Sequence, residues 1–89
     1  MMQKKQILVV EDHEINRAML RAVLSDTYEV LEAENGQVAL DILDKKKEEI
    51  ALILLDVFMP VLDGYSFLDI VQKDAQLSLI PVIVMTQEN

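Results

Sequence analysis

The stretch Ile50-Ala51-Leu52-Ile53-Leu54-Leu55-Asp56 places six apolar residues directly before a carboxylate. A short, continuous apolar run is typical of a strand that is buried on both faces, as in parallel sheets covered by helices. Similar runs occur at Ile7–Val10, which ends at Glu11-Asp12, and at Pro81–Met85, which ends at Thr86. We therefore predict a strand at each of these three runs, and each strand is followed at its carboxyl end by a polar side chain.

Between these runs the apolar residues follow helical spacing, and a weaker, alternating strand is predicted over Tyr28–Ala33. The first helix should begin at Glu14 and end at Ser25-Asp26, with Arg17 and Arg21 facing water. The resulting order, β-α-β-α-β-α-β, predicts an α/β fold with a parallel sheet. The apolar stripes of the three helices are Ile15, Ala18, Met19 and Ala22; Val38, Ala39, Ile42 and Leu43; and Phe67, Leu68, Ile70 and Val71.

Composition narrows the classes of function. The 89 residues suit a single domain, and a formal charge of −8 argues against direct binding to nucleic acids or anionic membranes. No apolar run approaches the roughly 20 residues needed to span a bilayer. Without cysteine, disulfide frameworks and thiolate zinc sites are excluded. These features predict a cytoplasmic protein.

The acidic residues at the strand ends predict a cation site. In an open parallel sheet, ligands bind outside the carboxyl ends of the strands. If the first and third strands are neighbours, Glu11, Asp12 and Asp56 converge there, and carboxylates about 4 to 5 Å apart repel by roughly 3 to 4 kcal/mol per pair. Oxygen ligands and room for water favour Mg²⁺. Alternatively, such residues begin solvated loops, and Asp12 could cap the first helix; His13 is interpreted as a flanking loop residue.

Four motifs carry a resemblance to a known family. They are Val9-Val10-Glu11-Asp12, the stretch Leu54–Pro60 followed by Asp63-Gly64, the strand Pro81–Thr86, and Asn16 in the first helix. In this order and at this spacing, the chain resembles the response-regulator receiver domains of two-component systems over essentially its whole length. The resemblance implies a flavodoxin-like, doubly wound sheet with strand order 2-1-3-4.

The resemblance also implies roles for particular residues. Asp56 would accept a phosphoryl group from a histidine kinase or phosphotransfer protein, and the hydroxyl of Thr86 would bind that group as a switch. Glu11, Asp12 and Asp56, together with the backbone carbonyl of Phe58, would hold Mg²⁺. The protein would then be a phosphorylation-controlled signalling module rather than an enzyme that turns over a substrate.

The sequence departs from the family at its far end. Residues 1–89 are expected to form only the N-terminal β-α-β-α-β-α-β portion, without the last helix-strand-helix part. The family's fifth-strand lysine has no counterpart, since Lys73 precedes the fourth strand, and we expect impaired phosphorylation of such a truncated chain. Pro81–Met85 would then be an apolar edge strand, which a second copy or a swapped element is expected to cover.

Two other classes of function remain as alternatives. One is a Mg²⁺-dependent phosphohydrolase with an aspartate nucleophile, although Phe58 stands where such enzymes carry a second aspartate. The other is an interaction module that is never phosphorylated. A nucleotide-binding domain is disfavoured, because the chain has two glycines and neither a G-x-G-x-x-G nor a P-loop pattern.

Overall fold

A computed structural model of the chain describes residues 4–56 and 63–85, and these residues alternate between strands and helices in the predicted order. A short 3₁₀ helix, which the sequence did not predict, follows the third α-helix. The elements are β1 Gln6–Val10, α1 Glu14–Leu24, β2 Glu29–Ala33, α2 Gly36–Lys46, β3 Ile50–Asp56, α3 Gly64–Lys73, the 3₁₀ helix Leu77–Leu79 and β4 Val82–Met85.

The four strands form one parallel sheet in the order β2-β1-β3-β4. The predicted fold class and strand order are thus confirmed. From β1 the chain passes to β2 on one side and later returns to β3 on the other, so the order reverses between β1 and β3. Val10 lies beside Leu55 in the register of that central pair. The carboxyl ends of β1 and β3 are therefore neighbours, at the position where ligands bind in open parallel sheets.

The core lies between the sheet and helices α2 and α3. Leu8 and Val10 of β1 belong to the same buried cluster as Ile53 and Leu55 of β3. Because side chains alternate along a strand, Ile7 and Val9, which are also buried, lie on the opposite face of the sheet. Two-sided burial explains why the central strands are continuous apolar runs. The helical residues of the cluster are Ala39, Leu43, Phe67 and Val71.

Helix α1 packs against the sheet with a different face from the one predicted. Ile15 and Met19 were expected to face the core, yet they are 75% and 62% exposed. The half-buried residues of α1 are Asn16, Arg17, Ala18, Leu20 and Leu24, so Ala18 is the one member of the predicted stripe that is not exposed. The exposed stripe borders a groove whose lining includes Met19 and, across from it, Met85 of β4. The described part of the chain places no element over this groove, so the apolar side of α1 has no partner there.

Side-chain caps fix where α2 and α3 begin. The Asn35 side chain accepts a hydrogen bond from the Val38 N–H at 2.9 Å, and Asp63 Oδ1 accepts one from the Ser66 N–H at 2.8 Å. Each satisfies a backbone donor that has no partner within the helix. In the described ranges, no helix combines the length and hydropathy needed to cross a membrane.

Candidate functional site at the carboxyl ends of the strands

Glu11 and Asp56 meet at the reversal point of the sheet. Asp56 is the last residue of β3, and Glu11 follows the last residue of β1. Both residues are only 3% exposed, although both carry a carboxyl group. One ligand atom from each of Glu11, Asp12, His13 and Asp56 lies within 4.8 Å of the others. The structure thus brings together the three carboxylates that the sequence analysis singled out, and it adds an imidazole.

Hydrogen bonds orient both oxygens of the Glu11 carboxyl group. The His13 backbone N–H donates to Glu11 Oε2 at 3.2 Å, and Asn16 Nδ2 donates to Oε1 at 3.3 Å. Burial raises the pKa of Glu11 above its ordinary value, and the neighbouring carboxyl groups of Asp56 and Asp12 raise it further, against the lowering effect of the His13 N–H. The ionised form of Glu11 is therefore unfavourable in free energy here unless a cation compensates for its charge.

Asp12 directs a buried oxygen into the same cluster. Its Oδ1 atom accepts no hydrogen bond from the residues that the structure describes, although His13 Nδ1 lies 3.1 Å away. Asp12 does not cap α1, as one alternative interpretation held, because His13 occupies the N-cap position and makes no side-chain capping bond. A buried carboxylate oxygen without a hydrogen bond is the kind of atom that a metal ion satisfies.

Arg17 holds the loop that carries the acidic pair. The sequence analysis predicted that this side chain faces water, but it is only 16% exposed. Its Nη1 donates to the backbone oxygen of Glu11 at 2.8 Å and to that of Asp12 at 3.2 Å, while its Nε lies 3.5 Å from Glu32 Oε1. Apolar periodicity could not reveal this role, because the guanidinium group binds backbone atoms whose position depends on the fold.

The donor set fits a divalent cation. Carboxylate oxygens are the ligands that Mg²⁺ prefers, and a cation would relieve the repulsion among Glu11, Asp12 and Asp56. The Asp12 oxygen, which accepts no hydrogen bond within residues 4–56 and 63–85, and the raised pKa of Glu11 both indicate a cluster that a positive charge would stabilise. Phe58 and Thr86, which the sequence analysis also assigned to the site, lie outside the described residues. Lys73 forms an ion pair with Asp69 on α3, at 3.0 Å.

Comparisons with known proteins agree with this geometry. The family model described as the response regulator receiver domain matches residues 7–89. Histidine kinase P4 of Formosa agariphila is 36% identical over 87 residues, which are 98% of this chain but only 6% of that kinase. The chain thus spans a small part of the length of this relative.

Two solved structures share the fold. Chemotaxis protein CheY4 of Vibrio cholerae superimposes with a TM-score of 0.86 at 32% identity, covering 98% of this chain and 72% of CheY4. The phosphorylated cyanobacterial phytochrome response regulator RcpA gives a TM-score of 0.87 at 29% identity, covering 97% and 67%. Because the family model covers nearly the whole chain and the acidic cluster lies at the reversal point of the sheet, this protein belongs to the response-regulator receiver-domain family.

Proposed function

We propose that Asp56 is the phosphoacceptor of this receiver domain and that Glu11, Asp12 and Asp56 bind Mg²⁺. Receiver domains are regulatory domains of two-component systems that interact with histidine kinases or phosphotransfer proteins, and they generally bind Mg²⁺ at an acidic pocket. The observation that carries the proposal is the buried cluster of carboxylates where the strand order reverses. Asp56, the proposed nucleophile, is the last residue of β3, a strand that pairs with a neighbour on each side.

The transfer step assigns one task to each group. A carboxylate oxygen of Asp56 attacks the phosphorus of a phosphohistidine, the P–N bond breaks, and the released imidazole nitrogen takes up a proton. The product is an acyl phosphate on Asp56. Such transfers depend on positioning and charge stabilisation rather than on covalent help from the protein. Bound Mg²⁺ would neutralise oxygen charge that otherwise meets three carboxylates.

The roles proposed for Phe58 and Thr86 come from the resemblance of the sequence to the family. The backbone carbonyl of Phe58 would complete the metal site, and the Thr86 hydroxyl would bind the phosphoryl group. We infer that the chain acts as a signalling module in the cytoplasm, with no turnover of a substrate and no direct contact with nucleic acid or membrane. The net charge of −8 favours a protein partner with a complementary basic surface.

The test is chemical identification of the phosphorylated residue. The 89-residue protein is incubated with Mg²⁺ and an excess of acetyl phosphate, reduced with borohydride, and sequenced by mass spectrometry. Borohydride converts an aspartyl phosphate to homoserine, so homoserine at position 56 is expected, and none is expected in Asp56→Asn. The family's fifth-strand lysine has no counterpart in these 89 residues, because Lys73 is the last lysine of the sequence and precedes β4. Slow labelling is therefore expected as well.

Other outcomes separate the alternatives. Homoserine at another position would move the phosphoacceptor assignment away from Asp56. No homoserine after prolonged incubation of a protein that binds Mg²⁺ would leave a non-phosphorylated interaction module. Steady release of product from a small phosphate ester, abolished by Asp56→Asn, would instead indicate a phosphohydrolase. Labelling that is rapid and stable would show that the proposal holds but that the predicted impairment is wrong.

A further inference from the structure

His13 lies at the mouth of the acidic pocket, and its ring nitrogen Nδ1 is close to two carboxylates. The nitrogen is 3.1 Å from Asp12 Oδ1 and 3.4 Å from Glu11 Oε2. Its side chain is 63% exposed, so the imidazole is accessible from solvent. The backbone of the residue is fixed on both sides, because its N–H donates to Glu11 and its carbonyl accepts from the Arg17 N–H at 3.0 Å.

These distances match neighbouring positions around one metal ion. With ligands about 2.1 to 2.2 Å from a metal, two donors at right angles are about 3 Å apart and two opposite donors about 4.3 Å apart. The contacts of His13 Nδ1 with Asp12 and Glu11 correspond to the first case. All four ligand atoms, including that of Asp56, lie within 4.8 Å of one another, slightly more than the largest separation between two ligands of one ion. A small adjustment of side chains would therefore let all four donors reach one ion.

We propose that His13 is a fourth protein ligand of the metal site, bound through Nδ1, and that it shifts the preference of this receiver domain from Mg²⁺ towards transition ions. The inference rests on the proposed metal site and adds a ligand to it. Mg²⁺ takes oxygen donors almost exclusively, whereas imidazole suits Ni²⁺, Zn²⁺ and related ions. Replacing one water by an imidazole therefore gains little for Mg²⁺ and more for ions that accept nitrogen.

The competing interpretation makes the opposite prediction. If His13 served instead as a cationic partner of Asp12 and Glu11, it would compete with any metal ion for the same oxygens. Removing the ring would then strengthen the binding of Mg²⁺ and of transition ions alike. The two interpretations thus differ in the sign of the effect of His13→Ala.

The decisive measurement is pulsed electron paramagnetic resonance of Mn²⁺ bound to the protein. The sequence has one histidine, so in protein made without a histidine tag an imidazole ¹⁴N coupling can come only from His13. We expect that coupling in the unaltered protein and its loss in His13→Ala. The substitution keeps the backbone N–H that orients Glu11, and Asp56→Asn serves as the control that weakens Mn²⁺ binding itself.

Calorimetry with Ni²⁺ and Mg²⁺ supplies a second readout. We expect His13→Ala to weaken Ni²⁺ binding by about tenfold, the lower end of the loss seen when even an outer partner of a metal ligand is removed. Mg²⁺ binding should change much less.

Bound Mn²⁺ that Asp56→Asn weakens but that shows no ¹⁴N coupling would overturn the role of His13 and leave the proposed metal site intact. Failure of Mn²⁺, Ni²⁺ and Mg²⁺ to bind would overturn both.

Discussion

The fold changes the ionisation of Glu11, a buried member of the acidic cluster. Its pKa is raised, chiefly by burial, so the folded state favours the protonated form. The contribution of this group to stability is fully present below its pKa in the unfolded state, about 4.3. It is lost as the pH rises through the higher pKa of the folded state. At neutral pH and without metal, ionised Glu11 therefore destabilises the protein.

We predict that Glu11→Gln raises the free energy of unfolding of the metal-free protein at pH 7. The gain over the unaltered protein should shrink as the pH falls towards 4, because both side chains are then neutral. Urea denaturation in EDTA across this range measures the difference. With saturating Mg²⁺ the order should reverse, since the unaltered protein gains binding energy that the variant loses. A variant that is less stable at pH 7 in EDTA would contradict the prediction.

Arg17 and Arg21 form a matched pair for testing how much the hydrogen bonds from Arg17 to the loop of Glu11 and Asp12 contribute to stability. Arg17 is 16% exposed and binds two backbone oxygens as well as Glu32, whereas Arg21 is 55% exposed and pairs with the same glutamate at 2.8 Å. We expect Arg17→Ala to lower the free energy of unfolding by about 2 kcal/mol, a typical value for hydrogen bonds from a charged group. Arg21→Ala should cost less than about 1 kcal/mol, as exposed ion pairs do. Equal losses of unfolding free energy in urea denaturation would refute the stabilising role of the Arg17 hydrogen bonds.

At the scale of the elements, capping decides where helices begin. We predict that Asn35→Ala lowers the free energy of unfolding by about 1 kcal/mol, since the Val38 N–H loses its acceptor. Asn35→Asp keeps an acceptor at the same position and adds a favourable charge at the helix N-terminus, so it should retain full stability. Thermal unfolding of the two variants makes the comparison. An aspartate variant as unstable as the alanine variant would show that Asn35 acts in another way.

The order of the elements could be predicted from the sequence because each buried strand is an uninterrupted apolar run. Ile50–Asp56 has the same bounds in the sequence pattern and in the structure. The orientation of α1 could not be predicted in this way. Apolar periodicity identifies a helix face but not its partner: Met19 borders the groove beside β4, and Ile15 is exposed rather than part of the core.

In the acidic site, too, some features could be predicted from the sequence pattern, and others depend on contacts formed only in the fold. The positions of Glu11, Asp12 and Asp56 at strand ends follow from the topology of a parallel sheet. The closeness of His13 Nδ1 and the two backbone contacts of Arg17 depend on how one loop turns, which residue patterns do not encode. Sequence reasoning therefore found the carboxylates, but it assigned Arg17 to solvent and interpreted His13 only as a loop residue flanking the site.

At the scale of the whole molecule, β4 and α1 both carry exposed apolar side chains. Strand β4 pairs with β3, and among the described strands none pairs with its other edge. Ile83 and Val84 on that strand are exposed, and so are Ile15, Met19 and Val23 on α1. An exposed β-branched edge strand pairs readily with another chain.

We therefore predict that the 89-residue chain self-associates as its concentration rises, through the β4 edge. Sedimentation velocity should show a concentration-dependent increase in mean mass, which Ile83→Lys reduces. Leu79→Lys is the matched control, because Leu79 is also exposed and the substitution changes the net charge of −8 by the same amount. Since a weaker net charge lowers repulsion between copies equally in both variants, only the position of the lysine differs. A monomer at every concentration, or equal behaviour of the two variants, would exclude the β4 edge as the contact.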